Sequence, residues 1–264
     1  MKKGFLVLLF LFVGYGMVQA ASFSTNPFPP KDPQAQPQAP GPNTITQSLD
    51  TATVTSGNSV SCNMGRLHTN NSYMRRFDLD GDHGITGEFN ITRVTIGVEI
   101  AESPGAVGQP LTVTLYTIPN GDALAFANLT QIGQSVFPNF ADTSLSLVNL
   151  AVTGTVSDPT TQDLVVEIFT PNGQAAGNAF FIGSNANGEI KPSYLAASDC
   201  SVPEPATTAS IGFPDMHILM LVDGVEASAE PIPTLSEWGM ILMGLILAAS
   251  AYGVLRRQRN SMGV

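Results

Sequence analysis

The densest run of side chains able to do chemistry is Asp78-Leu-Asp80-Gly-Asp82-His-Gly84, with three carboxylates at alternating positions in a glycine-containing turn. Carboxylates that converge from one short loop suit a hard cation, and calcium is the cation such oxygens serve best. The fit to an EF-hand loop is imperfect. His83 stands where that loop needs glycine, and Glu88 falls one place short of its closing acid. The same residues also suit a hydrophilic turn whose aspartates cap their own backbone. Both readings stand on the sequence. If the loop holds calcium, the ion relieves repulsion among Asp78, Asp80 and Asp82, raises the melting temperature, and loses that effect in Asp80→Ala.

Two further groups deserve a chemical reading. Cys62 and Cys200 are the chain's two cysteines, and neither lies in a Cys-x-x-Cys or near a histidine at ligand spacing. In an oxidising compartment they read as a disulfide, which would stabilise the fold by about 4–5 kcal/mol for a loop of roughly 138 residues. Tyr73, Arg75, Arg76 and Phe77 crowd one segment, with Tyr194 isolated further on. A sugar-binding face needs aromatics presented outward. The alternative is one buried ring and an arginine pair matched to carboxylates. His68, His83 and His217 are scattered and read as structural residues. The sequence holds no nucleophile elbow, zinc-binding helix, phosphate loop or dinucleotide fingerprint, so no catalytic residue is assigned and a non-enzyme is expected.

The elements that must position these groups are strands. The chain has 264 residues, 43% apolar and 12% charged, with a net charge of −10. Residues 21–235 carry six Lys and Arg against twenty Asp and Glu, a net −14. That body cannot neutralise a row of phosphates, which excludes a nucleic-acid partner. Short β-rich runs recur at 72–79, 89–100, 111–118, 144–156, 164–170, 179–183 and 217–222. Leu111, Val113 and Leu115 alternate at period two, as do Val94, Ile96, Val98 and Ile100, and the phase slip between Ile91 and Val94 predicts a bulge. Pro119-Asn120-Gly121 and Pro171-Asn172-Gly173 mark turns. The pattern predicts an all-β domain over 44–225, an antiparallel β-sandwich of jelly-roll-like form. Residues 21–43 hold seven prolines and read as a disordered linker, and 226–231 as a second, shorter one.

Both ends read as addresses. Lys2 and Lys3, the apolar stretch Phe5–Val13 and the small-residue site Val18-Gln19-Ala20 predict a cleaved signal peptide over 1–20. At the other end, Ile232-Pro233-Thr234-Leu235-Ser236-Glu237-Trp238-Gly239 precedes an uncharged run to Leu255, followed by Arg256, Arg257 and Arg259. Thr234 and Glu237 have capping-box spacing, and residues 235–255 make about 31 Å of helix, enough to cross a bilayer core. Trp238 would lie at the outer interface and the arginines would hold the C-terminus in the cytoplasm.

This ordered combination over 232–260 closely resembles the IPTL-CTERM sorting signal, a relative of the PEP-CTERM tails handled by exosortases in Gram-negative bacteria. The resemblance implies an exosortase-type membrane protease as partner, with cleavage near Ile232–Leu235, and an association with exopolysaccharide. Within the body, Asn71–Leu79, a Gly97-Val-Glu99 turn, Phe180–Asn185 and Ile211–His217 are similar to segments of uncharacterised bacterial secreted proteins, and imply no activity. The expectation is an exported protein, anchored in the inner membrane by its C-terminal helix before processing and then at the cell surface or outside the cell. Its expected role is structural or adhesive in an exopolysaccharide matrix. The alternatives are a carbohydrate-binding module using Tyr73 or Tyr194, and a secreted hydrolase.

Overall fold

The computed structural model describes residues 20–27, 44–227 and 235–261. They belong to two compact units, a body ending at Ala227 and a C-terminal helical unit. In chain order the body's strands are β1 (Ser22–Thr25), β2 (Thr44–Thr46), β3 (Val60–Met64), β4 (Leu67–His68), β5 (Asn71–Phe77), β6 (Phe89–Glu102), β7 (Gln109–Pro119) and β8 (Thr130–Phe140). They continue as β9 (Thr143–Val156), β10 (Gln162–Thr170), β11 (Ala179–Ile182), β12 (Ser184–Asn185), β13 (Tyr194–Ala197), β14 (Val202–Thr207), β15 (His217–Ile218) and β16 (Met220–Glu226). The second unit is one helix, α1 (Leu235–Ser261).

Two sheets carry the body. One has the order β14-β13-β5-β10-β7-β8. In the other, β9 pairs along one side of β6, while β16 and then β11 share its other side and β2 lies outside β16. The chain crosses between the sheets repeatedly: β5, β7, β8 and β10 belong to one, β6, β9 and β11 to the other. Period-two alternation turns Tyr73, Phe77, Leu111, Val113, Leu115, Leu164, Val166 and Ile168 inward, to meet Val94, Ile96, Val98, Leu150, Val152, Phe180 and Val222 in one core. Each such side chain, fully buried, contributes about 1.5–3 kcal/mol. The result is an antiparallel β-sandwich.

Each of the seven β-rich runs read from the sequence meets a strand, although Asp78 and Leu79 fall in the turn after β5, Gly183 lies just past β11, and Leu219 separates β15 from β16. The bulge falls where the phase slips: the β6–β9 register shifts between Ile91 and Arg93, and the β16 register shifts opposite it. Strands β8 and β14 escaped the sequence reading because Gly133 and Pro138, and Pro203 and Pro205, interrupt their alternation, and β3 and β13 because they are only five and four residues long. Gly97-Val-Glu99 is not a turn but the middle of β6. Gly97 is needed there because Gly183 donates its N–H to the Gly97 carbonyl at 2.6 Å, and a Cβ on either residue would meet the other's backbone.

Two linker boundaries move. Ser22–Thr25 pairs antiparallel with β3, and Phe23 packs edge-on against Phe213, so the body reaches back to the residues just after the predicted cleavage site. Glu226 ends β16 and accepts N–H bonds from Thr86 and Gly87 at 3.0 and 2.7 Å, which makes it part of the body. Residues 1–19 of the predicted signal peptide, the proline-rich residues 28–43 and residues 228–234, which hold most of the predicted second linker, lie outside the described residues.

Candidate functional site

The aspartate turn follows β5. The Asp78 carboxylate accepts the Gly81 N–H at 2.7 Å, while the Asp78 and Asp80 carbonyls accept from Asp82 and Gly84. Asp82 turns away, accepting from the Gln47 side-chain amide at 3.2 Å and pairing with Lys191 at 3.4 Å. Asp80 is exposed. Asp78 and Asp82 thus serve separate partners while Asp80 faces solvent, and among the described residues no group of three or more His, Cys, Asp or Glu is placed to hold a metal ion. The arrangement is that of a capped turn. His83, half-buried against Phe77, has its imidazole held below the ordinary range by burial, with Asp82 and Asp78 opposing.

Cys62 on β3 and Cys200, in the short turn between β13 and β14, form a disulfide with Cα atoms 5.9 Å apart. Asn71 clamps the same place: its amide oxygen accepts the Cys62 N–H at 2.7 Å and its NH2 donates to the Cys62 carbonyl at 3.0 Å. His68, on neighbouring β4, presents its two ring nitrogens to the carbonyls of Asn178 and Pro171. Burial outweighs those bonds and pulls its pKa down to about 4. Its role is structural. So is that of His217, whose Nδ1 accepts the Gly188 N–H at 2.9 Å.

Arg75 and Arg76 are neighbours on β5 with opposite fates, because consecutive residues of a strand face opposite sides. Arg75 points inward and is wholly buried. Its guanidinium donates to the Ile218 carbonyl twice, to the Lys191 carbonyl, to Ser48 and to Glu189, the last at 2.8 Å. All five N–H groups are thereby used. Tyr73 points inward too and is 0% exposed, so it cannot present a ring to a sugar. That corrects its place in the carbohydrate-binding reading. Burial also raises its hydroxyl's pKa.

Arg76 faces outward, and here the structure assembles a concavity. Arg76, Asp78, Asp163, Lys191 and Tyr194 line a cavity of about 240 Å³ on the outer side of the six-stranded sheet. Arg76 pairs with Asp163 at 2.5 Å and donates to the Asp122 carbonyl at 2.6 Å. Asp163 is 5% exposed and its Oδ1 has no hydrogen-bond partner. Burial raises the pKa of this carboxyl against the opposing pull of Arg76. Tyr194 stands half-buried beside it, its pKa also raised by burial. Asp163 and Lys191 were not singled out from sequence. Asp163 sits diagonally across from Arg76 in the β5–β10 register, where Val165 faces Arg76 directly, and that relation exists only once strands are paired.

In the tail, Ile232, Pro233 and Thr234 lie outside the described residues, as do the side chains of Leu235, Ser236, Glu237 and Trp238. Helix α1 runs from Leu235 through Gly239, past the expected end at Leu255, and carries Arg256, Arg257 and Arg259 within it. Its segment Gly239–Arg259 is long and apolar enough to cross a membrane. Within that segment the Ser250 hydroxyl donates to the Ile246 carbonyl at 2.7 Å, which satisfies this polar group inside the helix itself.

By length and composition, then, the tail is a membrane-span-like helix behind a proline-containing leader. The tail carries a specific signal: the family model of the IPTL-CTERM motif matches residues 230–259. No curated protein matches the chain. Among solved structures it is similar to the cysteine protease and lectin-like domains of Cwp84, a surface layer associated protein of Clostridium difficile, at 12% identity and TM-score 0.41 over 65% of this chain and 38% of that one. A second structure, the clostridial cysteine protease Cwp84 after propeptide cleavage, is similar at 12% identity and TM-score 0.41, over 65% and 43%. The chain thus spans less than half the length of either neighbour.

Proposed function

We propose that this is an exported surface protein, held in the membrane by α1 until an exosortase-type protease processes it near Ile232–Leu235. The body then serves a non-catalytic structural or adhesive role in an exopolysaccharide matrix. The observation that carries this reading is the motif match at 230–259 coincident with a membrane-length helix that ends in arginines. A non-catalytic body is supported by where its buried ionisable groups are spent: Arg75 on backbone carbonyls and Glu189, and Glu99 on the N–H groups of Gly57 and Ser59. The test is fractionation with and without the exosortase. The expected result is a body lacking α1 at the surface when the enzyme is present, and a full chain in the inner membrane when it is absent. Full chain in the inner membrane of both strains overturns the sorting role.

The outward cavity favours a second reading, a carbohydrate-binding module. A ring beside a charged pair and an orphan carboxylate oxygen suits a hydroxylated ligand, whose O–H groups donate to carboxylates and whose C–H face packs on an aromatic. Affinity electrophoresis in exopolysaccharide separates the two readings. Retardation that Tyr194→Ala abolishes promotes carbohydrate binding, and unretarded migration removes it.

A further inference from the structure

Asparagine followed by glycine occurs three times in the chain, at Asn120-Gly121, Asn172-Gly173 and Asn187-Gly188. In such a pair the glycine nitrogen can close a ring onto the asparagine's own Cγ, with no Cβ on the glycine to hinder it. The attacking nitrogen must lose its proton and the amide nitrogen must leave, so the groups that these two nitrogens face decide the reaction. Two of the pairs face neutral acceptors. Gly173 donates its N–H to the His68 carbonyl at 3.0 Å, and the nearby His68 ring has both nitrogens on the carbonyls of Asn178 and Pro171. The Asn172 Oδ1 accepts the Gln174 N–H at 2.9 Å, and Asn120 gives its NH2 to the Thr160 carbonyl at 3.0 Å.

Asn187-Gly188 is built differently. It lies between β12 and the bridge from Glu189 to Ser48, and the β12–β15 register sets His217 opposite Asn185, beside it. The bond by which His217 holds this loop does more than hold it: the Gly188 N–H donates to Nδ1 at 2.9 Å, so the attacking nitrogen meets an imidazole nitrogen with an open lone pair. The Asn187 NH2 donates to Asp50 Oδ2 at 2.7 Å. Asp50 is itself fixed, its Oδ1 accepting the N–H groups of Ala52 and Thr53 at 2.9 and 3.0 Å. A base thus stands on the attacking nitrogen and a carboxylate on the leaving one. Position 188 requires glycine, since its φ is +102° and a Cβ there would come within 2.8 Å of Leu49. Asn187 is exposed, so water reaches it.

We infer that Asn187-Gly188 is a self-modifying site, at which the chain converts its own asparagine to aspartate and isoaspartate with His217 as general base. Gly188 N attacks Asn187 Cγ while its proton passes to His217 Nδ1; the N–Cγ bond forms and the carbonyl electron pair moves onto Oδ1. When that pair returns, the Cγ–Nδ2 bond breaks. The nitrogen leaves as ammonia, taking up the proton that His217 received, and the Asp50 carboxylate stabilises the positive charge that builds on it. Water then opens the succinimide at either carbonyl, leaving an aspartate or isoaspartate at position 187. The new carboxylate faces Asp50 with a like charge where a donor stood, which pushes apart segments 48–53 and 185–189. Glu189, the partner of buried Arg75, lies in the second of these. The reaction belongs to the body and stands whether or not the tail is processed by an exosortase.

The test is incubation of the full chain in detergent at neutral pH, with conversion at each Asn-Gly pair read by peptide mass, by isoaspartate-specific methylation and by hydroxylamine cleavage of the succinimide. In the folded protein Asn187 should convert about tenfold or more faster than Asn120 and Asn172. In urea with the disulfide reduced, the three pairs share only their local sequence, and their rates should converge below the folded rate of Asn187. His217→Asn keeps an acceptor for the Gly188 N–H but removes the base. It should slow Asn187 by about tenfold or more and leave the other two pairs unchanged. Circular dichroism verifies that this variant folds, and the comparison of three pairs within the wild type needs no variant at all. The inference is overturned if folded Asn187 converts no faster than the other two pairs or no faster than in urea, or if its rate is undiminished in folded His217→Asn.

Discussion

The six-stranded sheet ends differently at its two edges. At the β14 edge the chain is held by covalent and polar pins: the Cys62–Cys200 disulfide, the Asn71 clamp on Cys62, and Arg75 with Glu189 bridging β5 to the segment before β13. At the β8 edge the two sheets meet through a glycine contact and apolar side chains, with no charge along either strand. Polar pins are directional and place a segment in one position, whereas apolar contact fixes area and tolerates a new partner. The difference teaches that directional pins and apolar packing hold opposite edges of one sheet.

Three measurements on the pinned side, one on the open side and one on the aspartate turn can break that comparison or sharpen it. Cys62→Ser with Cys200→Ser should cost about 4–5 kcal/mol by the chain-entropy estimate, read as a lower urea midpoint at constant slope. A loss below about 1 kcal/mol would show that the edge is held without its staple. Arg75→Ala should cost about 3–5 kcal/mol, because it strands Glu189 and the Ile218 and Lys191 carbonyls away from their donor.

Acid should act on the same edge through His68. Its folded pKa, about 4, lies below the ordinary histidine value, so the neutral ring favours the folded state. The stability it supplies is complete above about pH 6.5 and is lost as pH falls through about 4, a change of about 3 kcal/mol. Unfolding titrations at pH 7 and pH 4 should show a shallower acid loss in His68→Gln than in wild type, and equal slopes would remove His68 from the account.

On the open side, Gly133→Ala should cost about 1–3 kcal/mol by forcing β8 off the Thr153 carbonyl, less than either pin. A larger loss would make the glycine crossing a pin in its own right. The smallest effect belongs to the aspartate turn. Asp78→Ala should cost about 1 kcal/mol through the lost Gly81 bond, and the melting temperature should not move between chelator and millimolar calcium. A calcium-dependent rise abolished by Asp80→Ala would restore the cation reading of this loop.

Much of this was legible in the amino-acid order because the information is local. Period-two alternation names a strand and its buried face within a few residues, which is why β6, β7 and β10 and even the bulge between Ile91 and Val94 could be read before any partner was known. The tail is more local still: leader, apolar run and arginines lie consecutively, and helix α1 needs no tertiary partner to close its hydrogen bonds. Two cysteines leave one pairing, so Cys62 and Cys200 needed no register. Other features depend on what comes to lie across from what. Alternation states that Arg75 and Arg76 face opposite ways, but not which of them is buried; that followed from Ile218 and Glu189 arriving over Arg75 from more than a hundred residues away. The same dependence hid the cavity, since Asp163 meets Arg76 diagonally across two strands and Lys191 reaches it from a loop. It also hid the edges. A strand's sequence states its faces, but whether its backbone is paired on one side or both is decided by sheet order, and sheet order is a property of long-range contacts.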